Sequence, residues 1–166
     1  MNRSIHLFLC LMAMLAPFSA FASSAVTNAG VVVENYPLRL QKYQDLNFGT
    51  IAPSGDQAGS VVLSSNGQVT ATGGATITST SGATAAAYFV YGVPNSNFSI
   101  LLPAEATLNG PVSSMLIREF TTSFVNTPRI EPEGFTGFTV GATLMVPAGQ
   151  LPGAYVGTFT VTVAYN

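Results

Sequence analysis

Apolar side chains recur at every second position through most of the chain, and clusters of Gly, Pro, Asn and Ser interrupt them at short intervals. A period of two is that of a β-strand, whose successive side chains point to opposite faces. No stretch shows the longer period of an amphipathic helix. Short strands separated by regular turn signals are typical of all-β proteins. The pattern therefore predicts an antiparallel sandwich or barrel.

The internal strands are predicted from alternating or β-branched runs between turn residues. The predicted strands lie at 60–64, 68–72, 75–80, 86–93, 98–102, 114–124 and 138–146. Between the first two, Asn66-Gly67 predicts a tight hairpin turn in which both residues take a positive φ. Residues 127–134 contain two prolines and are predicted to form a loop.

The end of the chain carries the clearest alternation. One face of the predicted strand holds Gly157, Phe159, Val161, Val163 and Tyr165, and the other holds Val156, Thr158, Thr160, Thr162 and Ala164. We expect Phe159, Val161, Val163 and Tyr165 to lie in the core. Because the chain ends on this strand, one of its hydrogen-bonding edges needs a partner from elsewhere.

The beginning of the chain resembles a secretory leader. Arg3 precedes an almost wholly apolar run at 7–15, and Ala20-Phe21-Ala22 has the small-x-small form of a cleavage site. This predicts a signal peptide at 1–22, removed after Ala22, and export across the inner membrane. The apolar run is shorter than the roughly 20 residues that a membrane-spanning helix needs. The only Cys and the only His lie in this leader and leave with it.

Residues 23–37 differ from the rest of the chain and are predicted to form an extended N-terminal arm. They are polar and small at first, then contain three consecutive valines, and end at Pro37. Such residues favour an extended conformation. The arm is followed by a β-sandwich domain at 38–166, and its candidate contact residues are Val26, Val31, Val32 and Val33.

Composition excludes several classes of function. Charged residues make up 7% of the chain and the net charge is −2, so no basic cluster exists for nucleic acid. Without Cys or His the mature chain cannot form a disulfide or the usual zinc site. The acidic pair Glu131 and Glu133 is interpreted as a solvated loop, with a weak calcium contact as the alternative. No nucleophile stands beside a recognisable base, so we expect no enzymatic activity, no catalytic residue, no metal and no cofactor.

Two features of the chain resemble known secreted proteins. Gly153 is fourteenth from the end and Tyr165 is penultimate. This arrangement resembles the last strand of chaperone–usher pilus subunits. The segment Leu46-Asn47-Phe48-Gly49 is similar to an element of spore coat protein U-like secreted proteins. Further similarity to those proteins lies at 140–144 and 153–159.

The resemblance implies an immunoglobulin-like antiparallel sandwich that lacks its last strand. In such families a periplasmic chaperone lends a strand, and the arm of the next subunit later replaces it at an outer-membrane usher. The resemblance then implies that the partners are neighbouring copies or related subunits. It also implies that the protein passes through the periplasm to a fimbrium at the cell surface, where it would take part in cell adhesion. The edge of the acceptor groove would consist of Gly153, Phe159, Val161, Val163 and Tyr165, and the N-terminal arm would be the donor.

Two other functions remain open at this stage. The chain could be a self-complete monomeric sandwich that coats a surface or binds a ligand, with residues near Val31 filling the free edge. An enzyme is the third alternative, because a pair of carboxylates for glycoside hydrolysis can be assembled from distant strands. The consecutive valines leave the register of the arm undetermined.

Overall fold

A computed structural model describes residues 30–31 and 36–166. Within the chain, Asn35–Asn166 forms a compact unit. The predicted signal peptide and Val26, Val32 and Val33 of the arm lie outside the described residues. Of the predicted arm contacts only Val31 is described, and 85% of its surface is exposed.

The described part of the chain is all β, as predicted, and contains no helix. It follows that no helix in this part could cross a membrane. All strand pairs are antiparallel. The strands are β1 (Arg39–Gln44), β2 (Thr50–Pro53), β3 (Gly59–Leu63), β4 (Val69–Gly73), β5 (Ala75–Ser79), β6 (Ala86–Tyr91), β7 (Phe98–Leu101), β8 (Glu105–Asn109), β9 (Ser114–Thr122), β10 (Phe135–Val146) and β11 (Thr162–Tyr165).

The longest strand, β10, is the centre of the main sheet. It pairs with β9 along one edge, and with β6 and then β3 along the other. Most of its residues are buried because the sheet is covered where β10 passes through it. At Gly141 a Cβ would lie 2.3 Å from the carbonyl oxygen of Leu63, so only glycine permits this close passage of two chain segments.

A second layer covers the main sheet and consists of two separate two-stranded sheets. One is formed by β2 and β5, and the other by β7 and β11. The first packs over the β3, β9 and β10 side of the main sheet, around Phe48, Val61 and Leu144. The second packs over the β6 and β10 side, around Phe98, Val90 and Phe138. The architecture is therefore sandwich-like, with one continuous layer and one divided layer.

The predicted C-terminal strand is only partly paired. A regular ladder joins β11 to β7, and Val156 forms an isolated bridge with Asn109. Residues 157–161 between them belong to no strand. The alternation is nevertheless preserved, since Phe159, Val161 and Val163 are partly buried and the residues between them are exposed. The sequence pattern thus describes the side-chain directions correctly but not the pairing.

The predicted hairpin at Asn66-Gly67 is present, but its turn type was predicted wrongly. Gly67 has a φ of 87°, whereas Asn66 is not among the residues with positive φ. The N–H of Gly67 donates to the carbonyl oxygen of Ser64, and the N–H of Ser64 donates to that of Gln68. This is the three-residue loop in which a type I turn is followed by one left-handed glycine.

Candidate functional site

A groove of about 1000 Å³ separates the two halves of the second layer. Its first rim is the segment Asp45 to Pro53, which includes β2. This strand pairs with β5 along one edge, and no described strand pairs with the other. The carbonyl oxygen of Thr50 accepts one further hydrogen bond, from the hydroxyl of Thr78 on β5. The other edge of β2 is therefore available for pairing on the groove side.

The second rim is the segment Gln150 to Phe159, which leads into β11. Val156 exchanges two backbone bonds with Asn109, of 2.8 and 3.0 Å. Beyond it, residues 157–161 form no backbone hydrogen bond with another described residue. Unpaired backbone groups in an extended segment are a template for another strand. Both rims of the groove thus offer hydrogen-bonding edges.

The floor of the groove is formed by core side chains of the main sheet. Met115 and Ile117 come from β9, Leu144 and Val146 come from β10, and Ala106 and Leu108 come from β8. These residues lie in one hydrophobic cluster with the buried Phe48 of the first rim. An apolar floor between two open strand edges is the surface that β-strand addition requires, because the backbone supplies affinity and alternate side chains fill the floor.

A tyrosine fixes the beginning of the second rim. The ring of Tyr155 lies over Gly110, where a Cβ would come within 2.4 Å of it. Its hydroxyl donates to the carbonyl oxygen of Leu151 (2.6 Å) and accepts from the amide of Gln150 (2.8 Å). The hydroxyl of Ser113 lies 2.9 Å away. The rim is therefore held against the β8–β9 hairpin without any strand in the groove.

Gly157 brings the rim close to β8. A Cβ at this position would lie 2.1 Å from the carbonyl oxygen of Thr107 and 3.0 Å from Cδ2 of Leu108. Any larger residue must push the rim away from β8, since Thr107 is fixed in the ladder with β9. The glycine therefore sets the position of the rim.

The two ends of the groove differ in polarity. At one end the N–H of Gly149 donates to the carbonyl oxygen of Ser54. This bond links the loop that follows β2 to the loop that precedes the second rim. At the other end the ammonium group of Lys42 pairs with the carboxylate of Asp45, and both groups are exposed. Burial, with a smaller contribution from Asp45, raises the pKa of Tyr88 at this end. Charge is thus confined to one end of an otherwise neutral groove.

The predicted groove-edge residues lie in three different places. Gly153 and Phe159 line the groove, and the ring of Phe159 packs on Phe120 with a centroid distance of 4.9 Å. Val161 and Val163 are not among the lining residues and pack against the second cluster of the core.

Tyr165 is not a core residue, contrary to the prediction, and 40% of its surface is exposed. Its hydroxyl accepts from the N–H of Val93 (2.8 Å) and donates to the carbonyl oxygen of Tyr36 (3.1 Å). The ring also lies over Gly92, where a Cβ would come within 2.4 Å of the hydroxyl. Tyr165 therefore ties the end of the chain to the beginning of the domain.

Sequence reasoning missed the floor and most of the first rim. Phe48 is 7% exposed and lies at the centre of the first rim, but the sequence singled it out only as part of a segment similar to spore coat protein U-like proteins. The alternation of Ala106 and Leu108 in β8 was a usable signal for an inward face. Nothing in the sequence indicated that this face would meet β9, β10 and β2 in one groove.

The described residues contain no group of three side chains that could hold a metal ion. Glu131 and Glu133 are exposed in the loop before β10.

Comparison with family models matches residues 38–165 to a domain of unknown function, DUF4402. Comparisons with curated proteins and with solved structures gave no significant match.

Proposed function

Because the chain belongs to the DUF4402 family, whose description assigns no function, we propose its function from the groove: the protein is a secreted structural subunit of fimbrial type that assembles by donated β-strands. The groove receives an extended segment of another molecule. That segment pairs with the free edge of β2 and with the unpaired residues 157–161.

The observation that carries this proposal is the divided second layer. Its two sheets, β2 with β5 and β7 with β11, are not joined by any described strand, and the groove is lined by β2 on one side and by the segment that leads into β11 on the other. One strand placed in the groove would join the two small sheets into one. It would also cover the apolar floor, in which Met115, Ile117, Leu144 and Val146 are at most 5% exposed and Ala106 and Leu108 are half-buried. Each buried Val or Leu side chain contributes about 1.5–3 kcal/mol, so a few positions suffice for a stable junction.

The proposed donor is the N-terminal arm, residues 23–37. Nine residues of the first rim, 45–53, span about 30 Å in a strand at about 3.3 Å per residue. The arm contains small and β-branched residues, and its one described valine, Val31, is 85% exposed. An exposed Val31 and a groove with an apolar floor in one molecule favour association.

Reach favours a donor from a second molecule. If the arm entered its own groove at the Asp45 end, it would run back along the six residues of β1, about 20 Å in a strand, before it reached Asp45. Filling the groove would take about 30 Å more. The thirteen residues that precede Tyr36 in the mature chain extend about 43 Å at most in strand geometry, so they fall short of the far end.

Export and assembly partners follow from the same proposal. A subunit that carries both an acceptor groove and a donor segment is prone to premature association. The proposal therefore includes a periplasmic chaperone that fills the groove in transit and an outer-membrane usher that exchanges the strands. The final location is the cell surface. The support for these partners is the predicted leader together with the groove.

The experiment compares the mature chain with a variant that lacks residues 23–33. Both are purified from the exporting cell and analysed by size-exclusion chromatography with light scattering. We expect polymers of the mature chain and a folded monomer of the truncated variant. Polymers formed by the truncated variant would contradict the proposal. A monomeric mature chain that refolds alone in one cooperative transition would favour the self-complete sandwich instead.

A further inference from the structure

The arm has two faces in an extended conformation, and they differ in polarity. One face holds the odd-numbered residues Ala25, Thr27, Ala29, Val31 and Val33. The other holds the even-numbered residues Val26, Asn28, Gly30 and Val32. Only one of these sets can face the floor, because successive side chains of a strand point to opposite sides.

The floor of the groove discriminates between the two faces. Its side chains from β8, β9 and β10 are apolar, and the charged lining residues Lys42 and Asp45 lie at one end. If the even face pointed inwards, the amide of Asn28 in the middle of the arm would be buried against this floor. A buried amide without a hydrogen-bond partner is strongly unfavourable. Gly30, next on that face, would leave the floor beneath it unfilled.

The odd face has neither defect. Over residues 25–33 it contains no amide and no glycine, and the hydroxyl of Thr27 is its only polar group; Ser23 and Asn35 lie beyond this stretch. Val31 and Val33 would supply the largest apolar contacts of this face, and the exposed surface of Val31 is free for such a contact. Val32 would then point to solvent.

We infer that the groove accepts the arm of a second copy with its odd-numbered face inwards, so that Val31 and Val33 contact the floor and Val32 does not. This inference rests on the proposed function and adds to it the register that three consecutive valines leave undetermined. It assigns different roles to neighbouring residues of the same type.

The test places a charge at each valine in turn in the full chain. Val31→Asp, Val33→Asp and the matched control Val32→Asp are purified after export, and polymer content is measured by size-exclusion chromatography. We expect Val31→Asp and Val33→Asp to reduce polymer at least tenfold and Val32→Asp to reduce it less than twofold. Mass spectrometry of the mature N-terminus verifies that all variants are cleaved alike. The substitutions lie outside the sandwich, so each body remains able to fold.

The outcomes separate the inference from the proposed function. Loss of polymer in Val32→Asp alone would overturn the inference, because the even face would then point inwards. Equal loss in all three variants, or no loss in any while deletion of residues 23–33 abolishes polymers, would overturn it too and leave strand donation standing. Polymers that survive the deletion would overturn the proposed function itself.

Discussion

Gly157→Ala tests whether the second rim of the groove is held in place by its contact with β8. The added Cβ would lie 2.1 Å from the carbonyl oxygen of Thr107, far inside van der Waals contact. The carbonyl belongs to a paired strand, so the rim must move instead. Substitutions that force such shifts cost about 1–3 kcal/mol.

Urea denaturation of the arm-deleted chain measures this cost without interference from assembly. With a slope of about 2 kcal/mol per molar urea, we expect the midpoint to fall by about 0.5–1.5 M. The matched control is Gly55→Ala, because a Cβ at Gly55 has no atom within 4 Å. The control is expected to change stability by less than about 0.5 kcal/mol.

The same variant tests the groove as a binding surface. A displaced rim no longer presents residues 157–161 at the right distance from β2, so Gly157→Ala in the full chain is expected to form less polymer than Gly55→Ala at equal protein concentration. Equal stability and equal polymer content of the two variants would refute the reasoning that Gly157 positions the rim.

Three further predictions concern residues around the sandwich. Tyr165→Phe removes the hydroxyl that bonds the backbone of Val93 and Tyr36. We expect the free energy of unfolding, measured by urea denaturation, to fall by about 1–2 kcal/mol. An unchanged midpoint would contradict this expectation. The raised pKa of Tyr88 means that the folded state holds its proton more tightly than the unfolded state. The stabilisation that this group contributes is fully present below about pH 10 and is lost as the pH rises further. The free energy of unfolding of wild type should therefore fall more steeply above this pH than that of Tyr88→Phe. Parallel curves of stability against pH would contradict this prediction. The guanidinium group of Arg129 donates to both the carbonyl oxygen and the side-chain oxygen of Asn95, whose φ is 63°. We expect Arg129→Lys to destabilise the chain by about 1 kcal/mol in urea denaturation, because an ammonium group cannot reproduce the planar fork. Full stability in the lysine variant would show that the fork is dispensable.

The strands that the sequence predicted are those with a buried face and clear alternation. β10 is the best example, since its apolar residues alternate and its neighbours on both edges are buried strands. β1 was missed because only Leu40 of its six residues is even partly buried, so no apolar period exists to detect. β2 has four residues and ends at a proline, which argues against a strand in any sequence-based interpretation.

The groove could be anticipated only in part. The alternation over residues 156–165 indicated an extended segment with one apolar face, and this follows from local pattern alone. The floor could not be predicted, because Met115, Leu144 and Ala106 come together only when the β8–β9 hairpin pairs with β10. Tyr165 was misassigned for a related reason. Its place on the apolar face suggested burial, whereas its hydroxyl is held by backbone groups of two distant segments.

Amide hydrogen exchange tests most directly whether the second layer is one strand short. The comparison is between the assembled mature chain and the arm-deleted monomer, with residues 157–161 and 50–52 as the reporters. If an arm from another molecule completes the layer, amides of residues 157–161 and those amides of residues 50–52 that do not bond β5 exchange at least a hundredfold more slowly in the assembled protein, while amides of β10 remain slow in both. Equal and rapid exchange of the reporter amides in the two samples would contradict the account, because the edges would then remain open after assembly.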